Sequence, residues 1–267
     1  MFADQPDQPA VEAATIMLIR DAPTLEVFLL ERHLDSDFVG GAWVFPGGKV
    51  DPMDRTIPTQ VLAGEPPASL IAAVGDEMAT ALAVAAIRET FEEAGVLLAA
   101  TQSGSVEAEW LRRSSFVNAR NELATRGSTW DWTAWLLDER LRLDLSALTW
   151  WSWWVTPRGV HRRFDTKFFV ATLPGDQAPL HDNVETTNSR WMKPRAALDA
   201  ARSGSVSIIL PTRKNLDQLG RYETTRQAMK AAREPGFERP RIEPTVELGD
   251  DGQFYVHHTT FDQPESV

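Results

Sequence analysis

Three glutamates, Glu89, Glu92 and Glu93, fall close together in the chain. On a helix these positions are i, i+3 and i+4, so the carboxylates share one surface within roughly 100° of arc. Carboxylates held that close repel one another unless they are solvated or share a hard divalent cation, whose preferred ligands are oxygens. Two readings therefore stand: a wet, charged helix face, or an all-oxygen metal site. Upstream, Phe45-Pro46-Gly47-Gly48 provides a tight turn whose backbone can come close to such a cation, because glycine has no side chain in the way. Loop and helix together point to the metal site more specifically than either does alone.

The elements needed to position these groups are legible around them. Ala83, Ile87, Thr90, Phe91 and Ala94 form a mostly apolar stripe opposite the carboxylates. With Asp76 as N-cap and Gly95 as C′ residue, the spacing predicts a helix over Asp76 to Ala94. Thr15 to Arg20 and Leu25 to Arg32 read as a strand hairpin, and Ala42 to Phe45 as a short strand feeding the Pro-Gly-Gly turn. Residues 55–87 begin as a loop containing Pro58, Gly64, Pro66 and Pro67, then run into the helix. Further on, Glu107 to Ala124 and Trp132 to Leu145 read as helices. Trp150 to Val155, Asp165 to Leu173 and Val184 to Met192 read as strands. Helices follow at Pro194 to Arg202 and Arg213 to Arg233, and then a hairpin over Ile242 to His258 turning at Gly249-Asp250-Asp251-Gly252. Strands in a mixed sheet with helices on both faces predict an α/β/α sandwich.

Composition narrows the function. A formal charge of −11 argues against sequence-independent nucleic-acid binding, which needs clustered Lys and Arg. A small anionic substrate stays open, because a bound cation inverts the local field. The chain has no cysteine, which removes disulfides, thiolate zinc sites and a Cys nucleophile. Met1 to Ala14 lacks the basic start and apolar core of a secretory signal, and no window is long and apolar enough to span a membrane. The C-terminal Glu265-Ser266-Val267 is not a peroxisomal address. A cytoplasmic protein with no membrane partner is the expectation. The tryptophans read as core, particularly Trp150, Trp151, Trp153 and Trp154 beside a strand, and His257 and His258 as surface residues.

Joined across residues 55–87, Gly48 to Asp54 and Arg88 to Val96 resemble the Nudix box, Gly-x5-Glu-x7-Arg-Glu-U-x-Glu-Glu-x-Gly-U, where U is a bulky aliphatic. Arg88, Glu89, Glu92, Glu93, Gly95 and Val96 match the second half; Thr90 replaces an aliphatic, and Asp54 stands where the pattern has Glu, on a shorter arm. Asp54 is therefore not assigned as a primary ligand. Phe45-Pro46-Gly47-Gly48, the Arg162-Arg163-Phe164-Asp165-Thr166-Lys167-Phe168-Phe169 segment and Trp191-Met192-Lys193-Pro194 with Ala197-Leu198 extend the resemblance over roughly residues 12 to 220. The long spacer is similar to that of the Nudix branch that includes the peroxisomal coenzyme A diphosphatase of animals.

This resemblance implies a single Nudix-type α/β domain over 1–267, an α/β/α sandwich with a mixed sheet and added helices. It places an insertion at 55–87 within the box and a C-terminal helix and tail at 213–267. It implies hydrolysis of a small-molecule nucleoside diphosphate linked to another moiety, with Mg2+ or Mn2+ suiting the oxygen-only ligands. Glu89, Glu92 and Glu93 would be the ligands together with the Gly47 carbonyl, and Arg88 could orient Glu92 at i+4. Glu89 and Glu185 are the two candidates for the general base. Arg32, Arg162 and Arg163 are candidates for the phosphates, the alternative for each being an ordinary surface arginine. Coenzyme A or acyl-coenzyme A is the first substrate expectation. ADP-ribose, NADH, nucleotide sugars and dinucleoside polyphosphates are alternatives, as is a binding module without turnover. A homodimer is left open.

Overall fold

The structure, a computed structural model, describes residues 8–34, 40–102, 104–125, 127–251, 254–261 and 265–266; Gly252 of the expected tail turn and the N-terminal residues 1–7 lie outside these. The opening hairpin is β1 (Val11–Asp21) and β2 (Leu25–Arg32), followed by β3 (Trp43–Val44) and β4 (Gly47–Lys49). Short strands β5 (Leu62–Ala63), β6 (Ala99–Ala100) and β7 (Arg142–Asp144) precede the long pair β8 (Thr149–Val155) and β9 (Phe164–Thr172). Then come β10 (Thr186–Met192), β11 (Arg241–Ile242), β12 (Thr245–Leu248), β13 (Phe254–His257) and β14 (Glu265–Ser266). The helices are α1 (Pro52–Arg55), α2 (Ala68–Val74), α3 (Asp76–Ala94), α4 (Ala108–Leu111), α5 (Ser114–Ala124), α6 (Trp132–Asp138), α7 (Pro194–Arg202), α8 (Leu210–Leu219) and α9 (Thr225–Arg233).

The main sheet is mixed, in the order β10-β2-β1-β9-β8-β11, with β3 added to β2 and β4 to β1. Its centre is β1, whose run Ala13 to Ile19, apolar but for Thr15, lacks the polar alternation of a half-exposed strand because both of its faces are covered. Ala14, Ile16 and Leu18 join the core under α3, while Met17 and Ile19 join the core under α8 and α9. β1 pairs in parallel with β9 from Val11↔Phe164 to Ile19↔Thr172, and its early residues Ala13 to Thr15 pair antiparallel with β4. The architecture is the expected α/β/α sandwich. Its central strand carries the Gly-Gly turn directly against the inner helix. Among the described residues no helix is long and apolar enough to cross a membrane.

Several segments differ from the sequence reading, each for a local reason. The first part of the 55–87 stretch is not plain loop: Pro58 and Pro67 stand at the N-caps of a 3₁₀ turn (Thr59–Val61) and of α2, where proline's missing N–H costs nothing. Gly75, at φ 85°, rather than Asp76, is the N-cap of α3. The helix expected over 107–124 is broken into α4 and α5 at Arg112-Arg113. The one expected over 132–145 ends early, where Arg140 takes φ 55° and Leu141 N–H bonds back to the Leu136 carbonyl, leaving residues 142–144 to form β7. The helix expected over 213–233 is two: α8 ends at Gly220, and a capping box between Thr224 and Gln227 starts α9.

Trp150, Trp151 and Trp154 are buried as expected, and a second aromatic cluster forms on the outer side of α3. There Phe91 stacks on Trp135 at 5.8 Å between ring centroids, and Trp132 stacks on Trp135 at 5.3 Å. Phe91 therefore fixes the rotation of α3 about its axis, and with it the direction of the carboxylates. Phe91→Ala should destabilise the protein by about 3–5 kcal/mol in urea denaturation, the cost of emptying an aromatic core position.

Candidate active site

α3 ends where the sequence places its stop. Gly95 adopts φ 66°, and its N–H bonds to the Phe91 carbonyl at 3.0 Å. The helix is not a wet, charged surface: Glu89 is 9% exposed and Glu93 3%. The Gly-Gly turn lies against these side chains. Gly47 N–H, turned off the β1 ladder, donates to Glu93 Oε2 at 2.9 Å. A Cβ on Gly48 would stand 2.5 Å from the Glu89 carboxyl carbon, so any side chain there would displace this carboxylate. The residues on either side of the long spacer are thus in contact.

Arg88 ties them together. Its guanidinium, 3% exposed, donates to both oxygens of Asp54 at 2.9 Å, to the Lys49 carbonyl at 3.0 Å and to Glu89 Oε1 at 2.9 Å. Glu92 Oε2 is 3.6 Å away, so the expected i, i+4 partner is a secondary one. Asp54 is itself buried, and its Oδ2 accepts the Asp51 N–H at 2.8 Å in a capping box that starts α1. The shorter Asp in place of Glu is therefore an anchor for Arg88.

The cluster opens into a cleft of about 1380 Å³ whose lining includes Gly47, Arg88, Glu89, Glu92, Glu93, Arg32, Glu185 and Arg162. Glu185 precedes β10 and sits 3.9 Å from Arg32. It is presented by a turn in which the Asp182 carboxylate accepts from the backbone N–H groups of Val184, Glu185 and Thr186. One expectation fails. Arg163 is buried and does not line the cleft; it donates to the carbonyls of Gln8, Thr156 and Pro157 and pairs with Glu243 at 2.5 Å. It fastens β9 to the segments flanking the sheet. Its neighbour Arg162, two residues before β9, lines the cleft instead.

A model of the NUDT19 Nudix domain matches residues 59–219, more than half of the chain. The chain belongs to the Nudix family. An acyl-coenzyme A diphosphatase NUDT19 of Xenopus laevis is 30% identical over 232 residues, covering 73% of this chain and 59% of that protein. The Gallus gallus protein of the same name is 29% identical over 275 residues, covering 85% of this chain and 72% of its own length. The chain therefore spans less than two thirds of the Xenopus relative. A NUDIX hydrolase from Alicyclobacillus acidocaldarius superposes with a TM-score of 0.71 at 29% identity, over 84% of this chain and 96% of that one.

The Nudix carboxylates are electrostatically overloaded. Burial, and after it Glu89, push Glu92 up to about 8. Burial also raises Glu89 against the opposing charge of Arg88, and raises Glu93 well above the carboxylate range against the Gly47 N–H and Arg32. For Arg88, burial opposes the charge, but Glu89 and Asp54 outweigh it and keep the guanidinium protonated. Among the described residues no group of three or more His, Asp or Glu side chains stands close enough together to hold a metal ion. The donor set nevertheless fits a hard divalent cation in kind: every donor is oxygen, and the cluster carries more buried negative charge than one arginine offsets.

Sequence reasoning missed three contributors. Asp54 as anchor was within reach, since its spacing from Gly48 was noted. Asp182 had a turn signal in Asp182-Asn183 but nothing to link it to Glu185. Arg120, on α5, donates to the carbonyls of Glu92 and Glu93, and no local pattern announces that contact.

Two expectations follow. Asp54→Ala leaves Arg88 buried without its two-toothed partner and should cost about 3–5 kcal/mol in chemical denaturation. The second concerns pH. Glu92 is raised when folded, so between its ordinary value of 4.5 and about 8 the folded chain holds more protons than the unfolded one. Its stabilising contribution is full below that window and is lost as pH rises through it. In EDTA the Tm should fall from pH 5 to pH 8, and magnesium or manganese should raise it most at pH 8. A Tm that climbs with pH in EDTA would contradict the buried-carboxylate account.

Proposed function

We propose that this Nudix protein is a metal-dependent diphosphatase that cleaves the diphosphate bond of coenzyme A or acyl-coenzyme A. The observation that carries the reading is the gathering of Glu89, Glu92 and Glu93 at the end of α3 against the Gly-Gly turn, lining a cleft large enough for a nucleotide conjugate. A binding module has no use for so much unbalanced buried charge. Glu89, Glu92 and Glu93, with the Gly47 carbonyl, would hold Mg2+ or Mn2+. When bound, the cation would neutralise phosphate oxygens and make water a better nucleophile.

The protein's own groups divide the remaining work. Arg88 donates to Glu89 Oε1 and orients it, which favours Glu89 as a ligand. Glu185, whose side chain is 37% exposed at the cleft edge, takes the general-base role and accepts the proton from the attacking water. Arg32 and Arg162 face the same cleft and offer charge-assisted hydrogen bonds to phosphates. The lining also contains the apolar side chains of Phe45, Trp154, Phe168, Leu210 and Val256, which suit the uncharged arm of a coenzyme A thioester. The names of the Xenopus and Gallus relatives support the same substrate class. We also read the chain as one domain, with 55–87 as an excursion and 213–267 as an extension. Its support is that β11 joins the main sheet and Val256 packs in the core under α8 and α9.

The test is a substrate panel with magnesium or manganese and mass detection of products. Coenzyme A should give adenosine 3′,5′-bisphosphate and a phosphopantetheine product, with higher kcat/KM than its 3′-dephospho form, and Arg162→Ala should narrow that preference. Glu92→Gln and Glu93→Gln should each lower turnover at least ~100-fold with the fold retained. Near-normal activity in either would overturn the ligand assignment, whereas faster turnover of ADP-ribose would reassign the substrate alone.

A further inference from the structure

The last turn of α3 poses an electrostatic problem. The C-terminal end of a helix carries about half a negative charge on its open carbonyls, and it favours cations there. This helix instead ends in Glu92 and Glu93, with no basic residue of its own in the final turn. The missing cation comes from another helix. Arg120 of α5 donates through Nε to the Glu92 carbonyl at 2.8 Å and through Nη2 to the Glu93 carbonyl at 3.0 Å. A Cβ on Gly95 would stand 2.8 Å from Arg120 Nη1, so the motif glycine both stops the helix and leaves room for this guanidinium.

Arg120 also reaches a third segment. Its Nη2 donates to the Leu180 carbonyl at 2.7 Å, and Leu180 N–H bonds to the Ala94 carbonyl at 2.9 Å. Slightly earlier in the chain, the buried Gln177 side chain bonds both the N–H and the carbonyl of Leu97. Residues 177–180 are thus fastened along the exit of α3. Two residues later begins the Asp182 turn that presents Glu185.

We propose that Arg120 is a positioning residue that holds the Glu185 loop against the carboxylate end of α3, fixing the distance between base and ligands. Its catalytic consequence rests on the function proposed above; the clamp itself does not. The geometry supports a single fork rather than a generic charge, since three carbonyls from two segments converge on one guanidinium.

Hydrogen-exchange mass spectrometry and steady-state kinetics on Arg120→Met and Arg120→Lys test this. In Arg120→Met, exchange in residues 178–186 should rise at least ~10-fold while β1 and β9 stay protected. With the substrate turned over fastest in the panel, kcat should fall about 10- to 100-fold, the effect of a displaced catalytic group, with KM within ~3-fold. Arg120→Lys, keeping charge without the fork, should fall between. Unchanged protection of 178–186, a rise shared equally by the whole chain, or wild-type kcat in Arg120→Met would overturn the proposal. If Arg120→Met does not fold, Arg120→Lys and Arg120→Gln decide by the same two readouts. Absence of any diphosphatase activity in the wild type would refute the proposed function, while exchange would still report on the clamp.

Discussion

Everything at the cleft depends on one buried cation. The guanidinium of Arg88 meets Asp54, Lys49 and Glu89, which come from the residues after the Gly-Gly turn and from the helix itself. Removing a guanidinium from water is expensive, and only near-complete pairing makes it tolerable. That pairing is satisfied only when turn and helix are in one arrangement. The interaction therefore acts as a geometric specification: it sets how far the backbone of residues 47–49 lies from the carboxylates of α3. Burial raises the glutamates in the first place, and the one positive charge of Arg88 is shared among Glu89, Glu92 and Asp54.

The supporting structure transmits this specification outward. On its outer side α3 is held by the Phe91–Trp135–Trp132 stack, and on its inner side by β1 and β4. The same strand that pairs with the Gly-Gly turn also pairs with β9, the strand that follows Arg162 and Arg163. These adjacent arginines, alike in type, have opposite fates. One turns into the cleft, and the other is consumed by backbone carbonyls and Glu243.

That divergence shows where sequence reading stops. α3 was legible because its apolar stripe and Gly95 obey helical geometry locally, and β1 because a strand covered on both faces must be apolar throughout. The carboxylate set was legible because spacing on a helix decides which side chains are neighbours. Residue type alone could not say whether Arg162 or Arg163 is buried, since that depends on which carbonyls the preceding turn at 156–157 and the distant residue 8 bring near. The breaks at Arg112-Arg113 and Arg140 were invisible for a related reason: no glycine or proline marks them. The break before α9 was readable in Gly220 and in the Thr224–Gln227 box, and periodicity simply overrode it.

The parallel pairing of β1 with β9 also governs how the protein is made. Loops that long close slowly, and their contacts form only after much of the chain exists. During synthesis, both segments that build the carboxylate cluster emerge well before residues 164–172, the strand that completes the bed of β1. A nascent chain thus carries the whole acidic motif while β1 still lacks its parallel neighbour β9. The elements that pair Arg88 with Asp54, which are β1, β4, α1 and α3, all lie before residue 95, so the inner half of the cleft is encoded ahead of the strand that closes the sheet.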